Sequence, residues 1–237
     1  MVILAGGLAT RLRPVTEKIP KSLVPVAGRP FIDYQLTLLA SAGVTDVLLC
    51  IGYLGEQIQS HCGDGSQYGM RIRYSMDGPQ LLGTAGALKH AVPLLGEQFF
   101  VTYGDAYLQC DYRALWERLR QDRALGLMTV YENRNAHEQS NVVVARDHVT
   151  VYDKKVHTPA MRWIDFGVSL FRRAALDLIS DNYPVDLGEL NRALIARQEL
   201  LAHTVPTRFY EIGSPHGLEE FDRLVRAGMF EQRKVRP

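Results

Sequence analysis

The sequence predicts an α/β fold organised around a mostly parallel β-sheet. Short apolar runs typical of buried strands, such as Met1–Ala5 and Val44–Ile51, are separated by segments with helical apolar spacing, such as Phe31–Ala42. This alternation indicates βαβ units, in which a helix crosses over between parallel strands. The length of 237 residues suits one sizeable domain. Ligands of such sheets bind at the carboxyl ends of the strands, so we expect the functional residues there.

The remaining elements follow from the same two patterns and from the residues that stop them. Gly43 ends the first helix as a C-cap, Thr84 and Ser214 are predicted N-caps, and Pro215 suits a first helical turn. The further predicted helices are Tyr53–Cys62, Thr84 to about Leu94, Asp111–Gln121, Ala174–Ile179, Asp186–Ala196 and one beginning at Pro215. The further predicted strands are Ile72–Ser75, Gln98–Tyr103, Leu125–Tyr131, Asn141–Arg146, His148–Tyr152, Trp163–Phe171 and Leu200–Val205.

Two polar segments are predicted to lie outside the core. Glu132–Ser140 reads as a solvated loop, and the sequence offers no partner for His137 within it. The basic tail Glu231–Pro237 is predicted to be frayed.

Composition excludes several classes of protein. The chain is 46% hydrophobic and 22% charged, close to the average of soluble globular proteins, which argues against disorder. A net charge of +1 argues against a nucleic-acid-binding protein with a broad basic surface. No apolar run reaches the roughly 18 residues of a transmembrane helix, and no signal peptide is apparent. Cys50, Cys62 and Cys110 are far apart, which predicts reduced thiols in a cytoplasmic protein.

The first strand runs directly into a glycine turn that is followed by cations. Gly6 and Gly7 precede Arg11, Arg13 and Lys21. Glycine lets backbone N–H groups approach an anion closely, and arginine and lysine bind phosphate oxygens. The spacing matches neither a dinucleotide fingerprint nor a Walker A loop. The pattern therefore favours a phosphate-binding loop for a nucleotide over an ordinary β-turn with incidental arginines.

The segments Ala5–Pro14, Thr16 and Pro20–Val26 resemble the signature of the sugar-1-phosphate nucleotidyltransferases, or nucleotide-sugar pyrophosphorylases. The resemblance is to short, single-domain members that act as heptose-1-phosphate guanylyltransferases or N-acetylmuramate-1-phosphate uridylyltransferases. It implies a Rossmann-like three-layer sandwich of the nucleotide-diphospho-sugar transferase type. It also implies a reaction in which a nucleoside triphosphate and a sugar 1-phosphate give a nucleotide-sugar and pyrophosphate. Ala9 stands where the family usually has glycine.

The resemblance divides the single domain, residues 1–237, into a mainly nucleotide-binding part (1–110) and a mainly sugar-phosphate-binding part (111–237). The segment Leu82–Leu88 resembles the family segment that contacts the base and ribose. Such contacts use main-chain groups, so the sequence favours GTP only slightly over UTP or CTP. The implied nucleotide-binding residues are Leu4, Ala5, Gly6, Gly7, Thr10, Arg11, Gly83, Thr84 and Gly104.

The resemblance assigns catalysis to Arg11, Lys21 and Asp105 and places Mg²⁺ between two carboxylates. Gly104-Asp105 follows a predicted strand and resembles the family's metal-binding dyad, although an aspartate there could also be a simple turn residue or N-cap. The segment Arg208–Pro215 resembles the closing motif of the family and carries Glu211 where aspartate is usual. Hard oxygen ligands and phosphates suit Mg²⁺.

The implied sugar-phosphate-binding residues are Lys154, Asp165, Gly167 and Tyr103. Lys154 is favoured over Lys155 for the phosphate because it directly follows an acid, as in the family's acidic-Lys pair. Tyr103 stands where relatives often carry asparagine. Asp165 also replaces a usual asparagine, and a carboxylate there favours sugar hydroxyls or an amine over an anionic sugar.

The expected partners are therefore an NTP and a sugar 1-phosphate, without nucleic acid or membrane, and a homo-oligomer is compatible with the sequence. Two alternatives stay open. The acceptor could be a small non-sugar phosphate or phosphonate that receives a cytidylyl group. The chain could also be a non-catalytic regulatory paralogue that binds a nucleotide-sugar, an alternative supported by Ala9, Asp165 and Glu211.

Overall fold

The computed structural model describes residues 1–136 and 138–230, so the predictions for His137 and Glu231–Pro237 fall outside it. The described residues form thirteen strands and six α-helices. The strands are β1 (Val2–Leu4), β2 (Pro25–Val26), β3 (Arg29–Pro30), β4 (Asp46–Ile51), β5 (Arg71–Met76), β6 (Gln98–Tyr103), β7 (Ala106–Tyr107), β8 (Gly126–Tyr131), β9 (Val142–Ala145), β10 (His148–Tyr152), β11 (Ile164–Arg172), β12 (Leu200–Val205) and β13 (Tyr210–Glu211). The helices are α1 (Phe31–Ser41), α2 (Gly55–Cys62), α3 (Gly83–His90), α4 (Tyr112–Arg120), α5 (Leu187–Ala196) and α6 (Pro215–Arg226).

Nine of these strands form one mixed sheet in the order β5-β4-β1-β6-β11-β8-β12-β10-β9. The half that contains β5, β4, β1 and β6 is parallel, as the βαβ alternation predicts. β11 runs antiparallel to both β6 and β8, whereas β8 and β12 are parallel to each other. β10 and β9 close the far edge in antiparallel pairs. The predicted mostly parallel, mixed central sheet is confirmed.

Helices cover both faces of the sheet, which makes the fold a three-layer sandwich. Along β1, Val2 and Leu4 belong to the apolar cluster formed with α3 and α5, while Ile3 belongs to the cluster formed with α1 and α2. Successive side chains of a strand point to opposite faces, so a strand with helices on both sides is apolar throughout. α4 packs over β8 and β11. The short apolar runs of the sequence are explained by this burial on two faces.

Three predicted helix features differ in the structure. α3 ends at His90 and is followed by a 3₁₀ turn, Val92–Leu94, because Pro93 has no N–H to continue the α-helix. The predicted N-cap Thr84 does not cap α3. Leu82 precedes the helix without a side-chain cap, and the Thr84 hydroxyl accepts the N–H of Leu187 instead. The helix predicted at 174–179 is a 3₁₀ helix, Arg173–Leu178.

A small second sheet brings distant residues to the carboxyl edge of β1 and β6. β7 pairs antiparallel with β13, with Glu211 opposite Ala106. The backbone N–H of Ile212 donates to the carbonyl of Asp105 at 2.9 Å. The chain from β13 then enters α6, whose Phe221 packs against Phe31 and Tyr107. This edge of the sheet therefore carries both Asp105 and Glu211.

Within residues 1–136 and 138–230, none of the helices combines the length and apolar character that crossing a membrane requires.

Candidate active site

The glycine turn leaves β1 at the carboxyl edge of the parallel sheet. A Cβ on Gly6 would lie 3.1 Å from the N of Gly52 and 3.4 Å from Oδ2 of Asp77, so Gly6 is closely packed. At Gly7, by contrast, a Cβ would have no described atom within 4 Å. Ala9 adopts the left-handed conformation, with φ of 49°, and its carbonyl accepts the Thr16 hydroxyl at 2.8 Å. The turn is thus closely packed at Gly6 and open at Gly7.

Three 3₁₀ turns follow the glycines instead of a long helix, because Pro14 and Pro20 lack the N–H that an α-helix would need: Thr10–Leu12, Val15–Glu17 and Lys21–Leu23. The last of them aims Lys21 at the site, where its ammonium donates to Oδ2 of Asp105 at 2.5 Å. The two side chains are about one-fifth exposed, at 24% and 18%. A cation and an acid that are 84 residues apart in sequence therefore meet at the end of the sheet.

Hydrogen bonds from two elements hold the turn that carries Asp105. The N–H of Gly104 donates to the carbonyl of Leu4 at 2.9 Å, which joins the ends of β1 and β6. The buried amide of Gln35, on α1, donates to the carbonyls of Tyr103 and Ala106, each at 2.8 Å. A Cβ on Gly104 would lie 2.8 Å from Cβ of Ala5, so only glycine allows this close approach.

Arg11, Asp105 and Glu211 converge around Gly213. A Cβ on Gly213 would lie 2.6 Å from Oε2 of Glu211, 2.7 Å from Oδ2 of Asp105 and 3.1 Å from Nη2 of Arg11. Two carboxylate oxygens and a guanidinium therefore lie close to Gly213, and a side chain at this position would strike them. Both carboxylate oxygens of Glu211 also have donors at the start of α6: the Gly213 N–H, and the Ser214 hydroxyl at 2.6 Å.

Arg11 and Asp105 border a cavity of about 370 Å³, here called the glycine-loop cavity. Eight of the nine residues predicted to bind the nucleotide line it, namely Leu4, Ala5, Gly6, Gly7, Arg11, Gly83, Thr84 and Gly104. Lys21, Tyr103, Asp105 and Lys154 line it as well. The exception is Thr10, which is exposed on the first 3₁₀ turn.

The structure gives the Gly83-Thr84 pair a packing role that the sequence did not suggest. Gly83 has φ of 77°, and a Cβ there would lie 2.4 Å from the carbonyl oxygen of Val185. That carbonyl accepts the N–H of Ala85 at 2.9 Å. The Thr84 hydroxyl accepts the N–H of Leu187 at 2.7 Å. The start of α3 is therefore bound to the segment that leads into α5, and any side chain at Gly83 would separate them.

A second cavity, of about 450 Å³, adjoins the first and is here called the Asp165 cavity. It contains all four predicted sugar-phosphate residues, Tyr103, Lys154, Asp165 and Gly167, together with Glu211. The two cavities share Arg11, Tyr103, Asp105 and Lys154 in their linings.

The geometry distinguishes the two candidate lysines. The Lys154 ammonium lies 5.5 Å from the ring centre of Tyr103 and 5.8 Å from that of Tyr152, within cation–π range. Among the described residues, Lys154 lines both cavities and Lys155 lines neither. The Asp165 carboxylate accepts the N–H of Gly167 at 2.9 Å and the Tyr152 hydroxyl at 3.3 Å. Burial raises the pKa of Asp165, while the charge of Lys154 acts in the opposite direction.

Comparison with known proteins identifies the family. Residues 1–226 match the nucleotidyl transferase family. The chain belongs to that family. Among solved structures, a Bacillus anthracis protein assigned as a glucose-1-phosphate thymidylyltransferase superposes with a TM-score of 0.83 over 95% of this chain and 94% of its own, at 21% identity. HddC from Yersinia pseudotuberculosis in complex with GMP-PN gives a TM-score of 0.76 over 94% and 98%, at 23% identity. At these identities the two structures establish the shared fold.

The names of three curated relatives describe nucleotidyltransferases. An N-acetylmuramate alpha-1-phosphate uridylyltransferase of Neisseria meningitidis is 43% identical over 117 residues, which cover 49% of this chain and 51% of the relative. A low-salt glycan biosynthesis nucleotidyltransferase of Haloferax volcanii is 33% identical over 94% of this chain and 65% of its own length. A mannose-1-phosphate guanyltransferase of Candida albicans is 29% identical over 90% and 61%. The chain thus spans about half to two thirds of the length of these relatives.

Sequence reasoning did not identify several residues that line the cavities of this nucleotidyl transferase fold. Asp77 follows β5 at the same edge as Asp105 and lines the glycine-loop cavity; its place after a buried strand and before Gly78 was the available signal. Glu138, Asn141 and His157 line the Asp165 cavity. Glu138 lies in the segment predicted to be a fully solvated loop, and no periodic pattern marks it.

Proposed function

We propose that this protein transfers a nucleotidyl group from a nucleoside triphosphate to a sugar 1-phosphate and releases pyrophosphate. The observation that carries this proposal is the meeting of two cavities at Arg11, Tyr103, Asp105 and Lys154. A bisubstrate transfer requires two pockets whose shared wall holds charged groups beside the reacting phosphates. The family match supports the same reaction class.

The cations of the glycine-loop cavity act on the triphosphate. Arg11 and Lys21 neutralise its oxygens and the charge that develops on the departing pyrophosphate. Lys21 pairs with Asp105 at 2.5 Å, so its ammonium lies beside this carboxylate in the glycine-loop cavity. Open backbone at Gly7 leaves room for a phosphate to approach the turn. Because nucleotidyl transfer depends on positioning and charge neutralisation, no nucleophilic side chain is needed.

The donor set around Gly213 fits a magnesium ion. Asp105 and Glu211 each turn one oxygen toward Gly213, and Mg²⁺ typically uses one or two carboxylates and leaves its other positions to phosphates and water. The bonds from Gly213 and Ser214 leave each Glu211 oxygen a second lone pair. Bound there, the ion would neutralise charge on the phosphates.

The acceptor occupies the Asp165 cavity with its phosphate near Lys154. From there an oxygen of that phosphate attacks the α-phosphorus of the triphosphate in line with the bond to pyrophosphate. Lys154, at the shared wall, steers and neutralises the incoming phosphate. Tyr103, which lies in both linings, separates the base side from the sugar side.

The test is a panel of NTPs against sugar 1-phosphates and small phosphonates, read by pyrophosphate release. We expect turnover with at least one NTP and a sugar 1-phosphate, loss of turnover in EDTA, and its return with excess Mg²⁺. Arg11→Ala should lower turnover by roughly 10²–10³-fold without unfolding the protein. Arg113→Ala, on the exposed side of α4, is the matched control. Turnover that persists in chelator would remove the metal from the proposal, and no turnover with any pair would refute it.

A further inference from the structure

The charges of the Asp165 cavity are unevenly distributed. Its two strong cations, Arg11 and Lys154, belong to the wall shared with the glycine-loop cavity. Of the described residues that line the Asp165 cavity but not the glycine-loop cavity, three are carboxylic acids, Glu138, Asp165 and Glu211, and none is lysine or arginine. The wall shared with the glycine-loop cavity therefore carries two cations and one acid, Asp105, whereas the rest of the Asp165 cavity is acidic.

This separation orients an acceptor that carries one phosphate. The phosphate is attracted by Arg11 and Lys154 only at the shared wall. The triphosphate must lie at this wall as well. The rest of the acceptor then extends toward Glu138 and Asp165. Asp165 uses one lone pair of each oxygen for Gly167 and Tyr152, so each oxygen keeps another for a ligand hydroxyl or amine.

Nothing among the described residues of this acidic region offers a strong cation to a second anion. His157 donates its Nδ1–H to the carbonyl of Ser140 at 3.1 Å, so this nitrogen is already engaged. Arg208 lines an adjoining cavity, but Glu220 takes both of its terminal nitrogens, at 3.1 and 2.8 Å. Glu138 is exposed at its surface but partly desolvated, and this desolvation, followed by the negative charge of Glu211, raises its pKa. A further carboxylate in this cavity would meet the same repulsion.

We infer that the acceptor is a sugar 1-phosphate whose other substituents are neutral or cationic, and that carboxylate-bearing sugars are excluded. This inference rests on the proposed function. It separates the chain from the relative named for N-acetylmuramate, a sugar that bears a carboxylate, although the two are 43% identical over 117 residues. The selecting groups are Asp165 and Glu138, which accept hydrogen bonds from hydroxyls or an amine and repel an anion.

Matched acceptor pairs test the inference at saturating NTP. N-acetylglucosamine 1-phosphate and N-acetylmuramate 1-phosphate differ by one carboxylate-bearing ether, and glucose 1-phosphate and glucuronic acid 1-phosphate by oxidation of one carbon. Glucosamine 1-phosphate adds an amine. In each pair we expect kcat/KM to be at least about 100-fold higher for the member without the carboxylate, because like charges across a binding site cost several kcal/mol. Calorimetric binding of the same pairs is the second measurement.

Variants assign the selection to the acidic residues. Two variants should reduce the kcat/KM ratio within each acceptor pair by about tenfold or more: Glu138→Gln alone, and Glu138→Gln combined with Asp165→Asn. Glu117→Gln on α4 should leave this ratio unchanged. Glu138 lies on an exposed loop, so its variant tests the inference even if the change at Asp165 unfolds the protein. Equal or better use of the carboxylated members would overturn the inference and leave the proposed function standing. If no acceptor supports turnover, the proposed function is refuted. The ratio of calorimetric affinities within each acceptor pair would then decide the inference.

Discussion

Replacing Gly7 by alanine separates ligand binding from protein stability. A Cβ at Gly7 would have no described atom within 4 Å, and Gly7 is not among the residues with positive φ. The added methyl group therefore meets neither a steric clash nor backbone strain within the protein. Its neighbour Gly6 differs, because a Cβ there would lie 3.1 Å from the N of Gly52. Any strong effect of Gly7→Ala must come from a ligand that occupies the open side of the turn.

The expected magnitude follows from the hydrogen bond that the methyl group would block. A hydrogen bond between a backbone N–H and a charged phosphate is worth about 1.5–3 kcal/mol. Since about 1.4 kcal/mol corresponds to tenfold in affinity, losing one such bond should raise KM for the NTP by roughly 10- to 100-fold. The free energy of unfolding should change by less than about 0.5 kcal/mol, as for other surface substitutions.

Steady-state kinetics with each substrate varied in turn, together with urea unfolding, measure both quantities. The variant should show a raised KM for the NTP with little change in KM for the acceptor. Gly96→Ala is the control, because a Cβ there would make only one ordinary contact, 3.7 Å from the carbonyl of Gln98, and it precedes β6 at the opposite edge of the sheet. An unchanged KM for the NTP would refute the view that phosphates approach the backbone of this turn.

Three further predictions follow from individual residues. Lys154→Met should lower kcat/KM for the acceptor by about 100-fold and Lys155→Met should not; equal effects would contradict the assignment. Ala9→Gly should raise the free energy of unfolding by about 0.5–1 kcal/mol in urea titrations, because relief of the left-handed strain exceeds the entropy cost of glycine. Burial raises the pKa of Asp77 above its usual 3.8. Protonated Asp77 therefore stabilises the fold at low pH, and this stabilisation is lost as pH rises through the raised pKa. Asp77→Asn should be more stable than the unmodified protein at pH 7, with the difference disappearing toward pH 3.

Local patterns were sufficient to predict the parallel half of the sheet. The strands at Val2–Leu4, Asp46–Ile51 and Gln98–Tyr103 lie within one or two residues of their predicted bounds because each is a buried apolar run stopped by glycine or a polar residue. Helical spacing likewise located α1 and α5. Turn chemistry placed the N-cap at Ser214, whose hydroxyl accepts the N–H of Gly217 at 3.1 Å.

Features that depend on contacts between distant residues could not be predicted from local sequence patterns. The pairing of β7 with β13 joins two-residue strands, which are too short to produce a periodic signal. The surroundings of Gly83 depend on the carbonyl of Val185, about 100 residues away, so local sequence patterns could not reveal this packing requirement for glycine. Glu138, in the loop after β8, lines the Asp165 cavity together with residues distant in sequence, and its polar neighbours resemble ordinary solvated residues.

The position of Glu211 shows how a side chain longer than aspartate can still face Asp105. Its two oxygens are bound by the N–H of Gly213 and the hydroxyl of Ser214, so the carboxylate folds back against the start of α6. A helix N-terminus favours negative charge, so the start of α6 is a suitable neighbour for the Glu211 carboxylate. A Cβ on Gly217 would strike Oε1 of Glu211, so a glycine in the first turn of α6 is required for this arrangement. Because the longer Glu211 side chain folds back against α6, its Oε2 still lies beside Gly213, as does Oδ2 of Asp105. Glu211 consequently joins α6 to the sheet edge and, from the Asp165 cavity, pairs with Asp105, which lines both cavities.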